Sequence, residues 1–96
     1  MIIEQLTDDE SRVIILKAVA DPMRLKIIRM LYNHRGEMNC GEIGEQLNIQ
    51  KSTVSYDFRT LREAGLTTTR KSGQNKYVEL RLETFEQYLP GFLNTL

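Results

Sequence analysis

The chain has 96 residues, 41% apolar and 27% charged, with no Trp and a formal net charge of zero. That length makes one domain with a modest core, for which subunit association is a natural route to further burial. No apolar run approaches the ~18 residues of a membrane span, the N-terminus lacks the order of a signal peptide, and a single cysteine, Cys40, excludes an internal disulfide framework and fits a reducing cytoplasm.

Asp8, Asp9 and Glu10 precede Val13, Leu16, Lys17 and Ala20, an order that suits a helix dipole and predicts a first helix over residues 8–19. Asp21-Pro22 is a helix start, with Asp as cap and Pro in the first helical position. Leu25, Ile28, Met30, Leu31 and Tyr32 give this second helix its apolar face, and it ends near His34-Arg35-Gly36. Asn39 caps a third helix with Glu42 at capping-box spacing, and Ile43 and Leu47 point from it to the core. Asn48-Ile49-Gln50 is a tight turn, with Ile49 buried between two helices. The fourth helix covers residues 51–64, with Val54, Phe58 and Leu61 at i, i+4 and i+7 as its core stripe. Gly65 stops it, and Leu66 tucks beneath the stop. Residues 67–70 and 77–80 read as strands, joined by a flexible basic tip over residues 71–76. A last helix, residues 82–89, meets Pro90-Gly91 and is followed by Phe92, Leu93 and Leu96. The order is that of a winged helix-turn-helix: mainly α with a small β-hairpin (α+β), one domain over residues 1–96.

The fourth helix opens on Lys51, Ser52 and Thr53 and has little apolar surface in its first turns. Such an end suits a recognition helix that approaches phosphates and base edges in the major groove of DNA. The charge is distributed accordingly: residues 50–81 carry seven bases against three acids, whereas residues 1–20 and 82–96 each sum to −2. Ser52, Thr53 and Ser55, with the free N–H groups of the helix, can hold phosphate; the plainer reading is that one of them caps the helix. Gln50 or Lys51 can reach base edges, Tyr56 can donate to phosphate or stack on a sugar, and Arg59 meets backbone or pairs with Glu63 at i+4. Arg70, Lys71, Asn75 and Lys76 form either a wing for the minor groove or backbone, or a plain solvated loop. Asp57 either accepts from cytosine N4 or faces Arg62 or Lys51. Arg24 and Arg29 are either rim contacts to phosphate or plain surface charges.

The apolar residues of the two ends, Ile2, Ile3, Leu6, Val13, Ile14, Leu16, Tyr88, Leu89, Phe92 and Leu93, are many for terminal segments. They predict a homodimer interface built from residues 1–20 and 82–96, with packing on their own protomer as the alternative. Cys40 at a helix N-terminus is either a redox thiol of lowered pKa or a small semi-buried residue. Met1, Met23, Met30 and Met38 read as core or interface filler. No His beside an acid, nucleophile elbow, phosphate-cradling Gly loop or metal cluster is present in the pattern, so neither an enzyme nor a cofactor is expected. A protein-interaction module would need an apolar patch on the fourth helix, whose outward positions are polar instead.

Asp21-Pro22-Met23-Arg24-Leu25-Lys26-Ile27-Ile28 resembles the D-P-x-R-L-x-I-L opening found in ArsR-type winged-helix repressors of bacteria. Lys51-Ser52-Thr53-Val54-Ser55 followed by Leu61-Arg62-Glu63-Ala64-Gly65-Leu66 resembles that family's recognition-helix signature. The resemblance covers roughly residues 12–82. It implies a homodimer that represses its own operon and leaves operator DNA on binding a metal ion or another inducer. It does not extend to the metal sites. Asn39 and Gly41 stand where metal-sensing members carry thiolates, and residues 82–96 contain no His or Asp. His34 and Cys40 alone cannot supply a soft-metal site within a protomer, and a site across a dimer would have to pair Cys40 with His34 or a second Cys40. Tyr56-Asp57 also departs from the family's usual His-His or His-Gln.

Overall fold

The computed structural model describes residues 7–96. Helix α1 (Asp8–Val19) begins in a capping box, with Thr7 accepting from Glu10 N and Glu10 returning the bond. Asp21 caps α2 (Pro22–His34) by accepting from the backbone of Met23 and Arg24, and Pro22 fills the first helical position. A two-residue strand, β1 (Met38–Asn39), leads into α3 (Cys40–Gln46), and residues 47–50 turn the chain into α4 (Lys51–Glu63). Strands β2 (Thr67–Ser72) and β3 (Asn75–Leu80) form the hairpin, and α5 (Leu82–Tyr88) precedes a short 3-10 turn, Leu93–Thr95.

Strand β1 has no signal in the sequence. It is too short to show a period, and it exists because Met38 and Asn39 pair antiparallel with Val78 and Tyr77. The sheet order is β1-β3-β2, which places β3 in the middle. The hairpin is also tighter than expected: pairing runs out to Ser72 opposite Asn75, so the tip is Gly73-Gln74 rather than residues 71–76. Gly73, at φ 62°, takes the left-handed first position of that two-residue turn, where a Cβ would be strained.

The core gathers Ile15, Ala18 and Val19 of α1, Ile27, Ile28 and Leu31 of α2, and Ile43 of α3 around Val54, Phe58 and Leu61 of α4. Leu66, Val78, Leu80 and Phe85 close it from the sheet side and α5. Leu47 and Ile49 are half-buried rather than buried, because the turn they flank lies at the edge of the core. Met38 is buried, Met23 and Met30 are half-buried, and Met1, Ile2, Ile3 and Leu6 lie outside the described residues.

Two interactions tie the sheet together on its exposed side. The Arg70 guanidinium lies 4.6 Å from the ring centre of Tyr77, its cross-strand partner, and its Nη2 donates to Glu37 Oε1 at 2.6 Å, just before β1. Asn39 Oδ1 accepts from the backbone of Gly41 and Glu42, while its Nδ2 donates to Asn75 Oδ1. Glu42 makes no return bond, so only half of the expected capping box forms.

Leu61 is fully buried, and Leu61→Ala should cost about 3 kcal/mol in denaturant unfolding through lost transfer energy and a residual cavity. The Arg70 bond and charge hold the Glu37 carboxyl below its ordinary 4.5. Stability from this pair is therefore present above that value and lost as pH falls through the lowered one. NMR titration should find Glu37 depressed in the native protein and restored to the ordinary range by Arg70→Ala.

Candidate nucleic-acid interface

Helix α4 is divided lengthwise. Val54, Asp57, Phe58 and Leu61 are buried, and Ser52, Ser55, Tyr56 and Arg59 are exposed. At 100° per residue the exposed four fall within one narrow stripe, opposite the stripe that fills the core. Thr53 and Lys51 are exposed beside it, as is Gln50, the N-cap residue. The Arg59 guanidinium lies 5.8 Å from the ring centre of Tyr56, so the two side chains form one aromatic-cationic surface. The expected Arg59–Glu63 ion pair is not among those formed by the described residues.

The start of α4 has no side-chain cap. Ser52, Thr53 and Ser55 do not serve as one, contrary to the plainer sequence reading, because Gln50 occupies the cap position and the three hydroxyls follow it. The first intrahelical bond is Val54 N to Gln50 O, which leaves the N–H groups of residues 51–53 pointing out of the helix end. Their partial positive charge, next to Lys51 and three hydroxyls, forms an anion-attracting end. Asn48, at φ 52°, makes the left-handed bend that sets α4 off from α3, and Ile49 N donates back to Gly44 O at 3.0 Å.

The wing residues divide into engaged and free. Arg70 is held by Glu37 and Tyr77, and Asn75 by Asn39. Lys71 and Lys76 are exposed and directly opposite each other in the hairpin. Like charges facing across two strands repel, and an anion near the tip relieves that repulsion.

Asp57 and Arg24 both depart from the positions that the sequence suggests. Asp57 neither faces a base nor meets Arg62 or Lys51: it is turned inward, and Arg24 Nη1 donates to its Oδ1 at 3.1 Å. Burial raises the carboxyl above its ordinary value, against the lowering effect of the Arg24 bond and charge. Arg24 is thereby withdrawn from any rim contact, whereas Arg29 is exposed. At Cys40, burial pushes the thiol upward despite the opposing charges of Lys76 and Arg62, the reverse of a thiol lowered by its helix N-terminus. Among the described residues no group of three or more His, Cys, Asp or Glu side chains is placed to hold a metal ion.

The predicted dimer residues fall into two sets. Val13, Ile14 and Leu16 of α1 are 48%, 40% and 50% exposed, while Tyr88, Leu89, Phe92 and Leu93 are half-buried against the core. The Arg12 guanidinium, 5.9 Å from the ring centre of Tyr88, brings the two sets side by side. Leu6 lies outside the described residues.

The fold and sequence are shared with known proteins. The helix-turn-helix domain family matches residues 19–70. Over 90 residues the chain is 59% identical to YceK, an uncharacterized HTH-type transcriptional regulator of Bacillus subtilis strain 168, covering 94% of this chain and 90% of that one. It is 33% identical over 69 residues to an arsenical resistance operon repressor of Staphylococcus xylosus, covering 72% of this chain and 64% of that protein. A homodimeric winged helix-turn-helix DNA-binding domain from Mycobacterium bovis superposes with a TM-score of 0.76 over 97% of this chain and 88% of its own, at 21% identity, a likeness of fold. The chain belongs to the ArsR-type family of winged helix-turn-helix transcriptional regulators, which are DNA-binding proteins and not enzymes.

Proposed function

We propose that this regulator is a cytoplasmic, homodimeric repressor that binds a palindromic operator through α4 and the wing and is released by an inducer. The observation that carries the reading is the exposed stripe Ser52-Ser55-Tyr56-Arg59, continuous with the uncapped start of α4. Gln50 and Lys51 read base edges, Ser52, Thr53 and Ser55 hold phosphate with the helix N–H groups, and Tyr56 with Arg59 follows the backbone. Lys71 and Lys76 add phosphate contacts, with Arg70 and Asn75 beside them in fixed positions.

Two such surfaces in one dimer enter successive major grooves about 34 Å apart, so the operator is an imperfect palindrome. The dimer face is α1 with the C-terminal segment: Val13 and Leu16 leave apolar surface uncovered, and Tyr88, Leu89, Phe92 and Leu93 extend it. No helix among the described residues is long and apolar enough to cross a membrane.

A gel-shift titration against the gene's own upstream DNA, with an unrelated fragment as competitor and salt varied, tests the reading. Saturable, competitor-resistant binding is expected; equal weak binding to both fragments overturns it. Lys51→Ala and Arg59→Ala should each weaken binding and lower the slope of log K against log salt by about 1. If neither does, this docking of α4 is wrong. Lys71→Ala should lower the slope more than Arg70→Ala, because Glu37 already neutralises much of the Arg70 charge.

A further inference from the structure

The Arg24 guanidinium is the point where three helices meet. Its Nε donates to Ala18 O at 2.6 Å and its Nη2 reaches Lys17 O at 3.4 Å, both carbonyls at the C-terminal end of α1. Its Nη1 donates to Asp57 on α4, and its own backbone N–H is fixed by the Asp21 cap at the start of α2. The rigid fork thus has acceptors on two other helices and a clamped backbone of its own, a geometry that a flexible ammonium cannot reproduce.

Core stability does not account for this arrangement. The side chains of Arg24 and Asp57 are only 13% and 5% exposed, so both ions are largely desolvated. Asp57 Oδ2 is buried with no partner, one of two such side-chain oxygens among the described residues. A buried ion pair with an unmet acceptor often stabilises a fold no better than apolar side chains of the same volume. What the pair supplies is direction. Asp57 adjoins Tyr56 in the chain, so the direction that α4 takes from the Arg24 fork is carried to the stripe Ser52-Ser55-Tyr56-Arg59 on the same helix. At its other end the fork holds α1, which carries the exposed Val13, Ile14 and Leu16.

We propose that Arg24, through Asp57, is a positioning residue for DNA recognition: it fixes the direction of α4 relative to α1, and hence the relation of the reading stripe to the dimer face. The proposal rests on the assignment of α4 as the recognition helix and of α1 as part of the dimer interface.

The test uses the full chain with Arg24→Met and Asp57→Leu combined, an apolar pair of similar volume, and with Arg24→Lys, which keeps the charge but not the fork. Three quantities are read: the denaturant midpoint, the ratio of upstream to unrelated DNA affinity, and residual dipolar couplings of α4 amides against those of α1 without DNA. The expected result is a midpoint near that of the native chain, altered couplings in α4, unchanged affinity for unrelated DNA and a preference lowered by about tenfold or more. A merely structural pair would leave couplings and preference unchanged in any variant of native stability, and that result overturns the proposal. If the apolar pair does not fold, Arg24→Lys decides alone: native couplings and native preference overturn it. Altered α4 couplings together with a native protein that shows no preference for upstream DNA uphold the positioning and strike the repressor reading instead.

Discussion

Helix α4 has to be a wall of the core and an outward surface at the same time, and a chain of this size has no spare helix to share the tasks. Val54, Phe58 and Leu61 are buried on one side, each such burial being worth about 1.5–3 kcal/mol. That anchoring fixes the rotation of the helix, and the rotation alone determines which side chains face out. Ser52, Ser55, Tyr56 and Arg59 form a surface because the apolar residues between them are committed elsewhere. Gly65 (φ 79°) ends the helix, and Leu66 enters the core directly behind it, so α4 is pinned along its length and at its C-terminal end.

The remaining elements hold the wing at a defined distance from this helix. Strand β3 sits at the centre of the sheet, and its Val78 and Leu80 reach the same core as Leu61. Asn39 joins three elements: its backbone pairs with β3, its side-chain oxygen caps α3, and its amide donates to Asn75 at the wing. Arg70 performs the equivalent task on the other edge through Tyr77 and Glu37. The tip is thus a braced two-residue turn carrying two opposed lysines, with little of the freedom that a six-residue loop would have.

Charge is divided by burial as much as by position. The bases of residues 50–81 sum to more than the acids, yet Arg70 is neutralised by Glu37 and the acid Asp57 is turned away from the surface to meet Arg24. The outward face of α4 is more positive than its sequence because one of its two acids, Asp57, points inward, which leaves Glu63 as the exposed one. Asp57 is buried although it is an Asp in a helix interior, an expensive arrangement that only the Arg24 fork makes tolerable.

The sequence by itself determined the helices, the turn and the hairpin. Their signals are local: Asp21-Pro22 and Asn39 as caps, the 3.6-residue spacing of Val54, Phe58 and Leu61, and Gly65 as a stop. The exposure of Lys51, Ser55, Tyr56 and Arg59 followed from that same spacing, since a core stripe implies its opposite. Strand β1 was not legible, because two residues carry no period and pair only when β3 is brought beside them. Nor was the fate of Arg24 and Asp57, which lie 33 residues apart and meet only once α2 packs against α4. Charged residues are ambiguous in a sequence: a helical period places Asp57 beside the core stripe, but whether a carboxylate is buried there depends on a partner from another element. Tertiary structure alone supplied that partner, and with it decided which charges face outward and which hold the helices together.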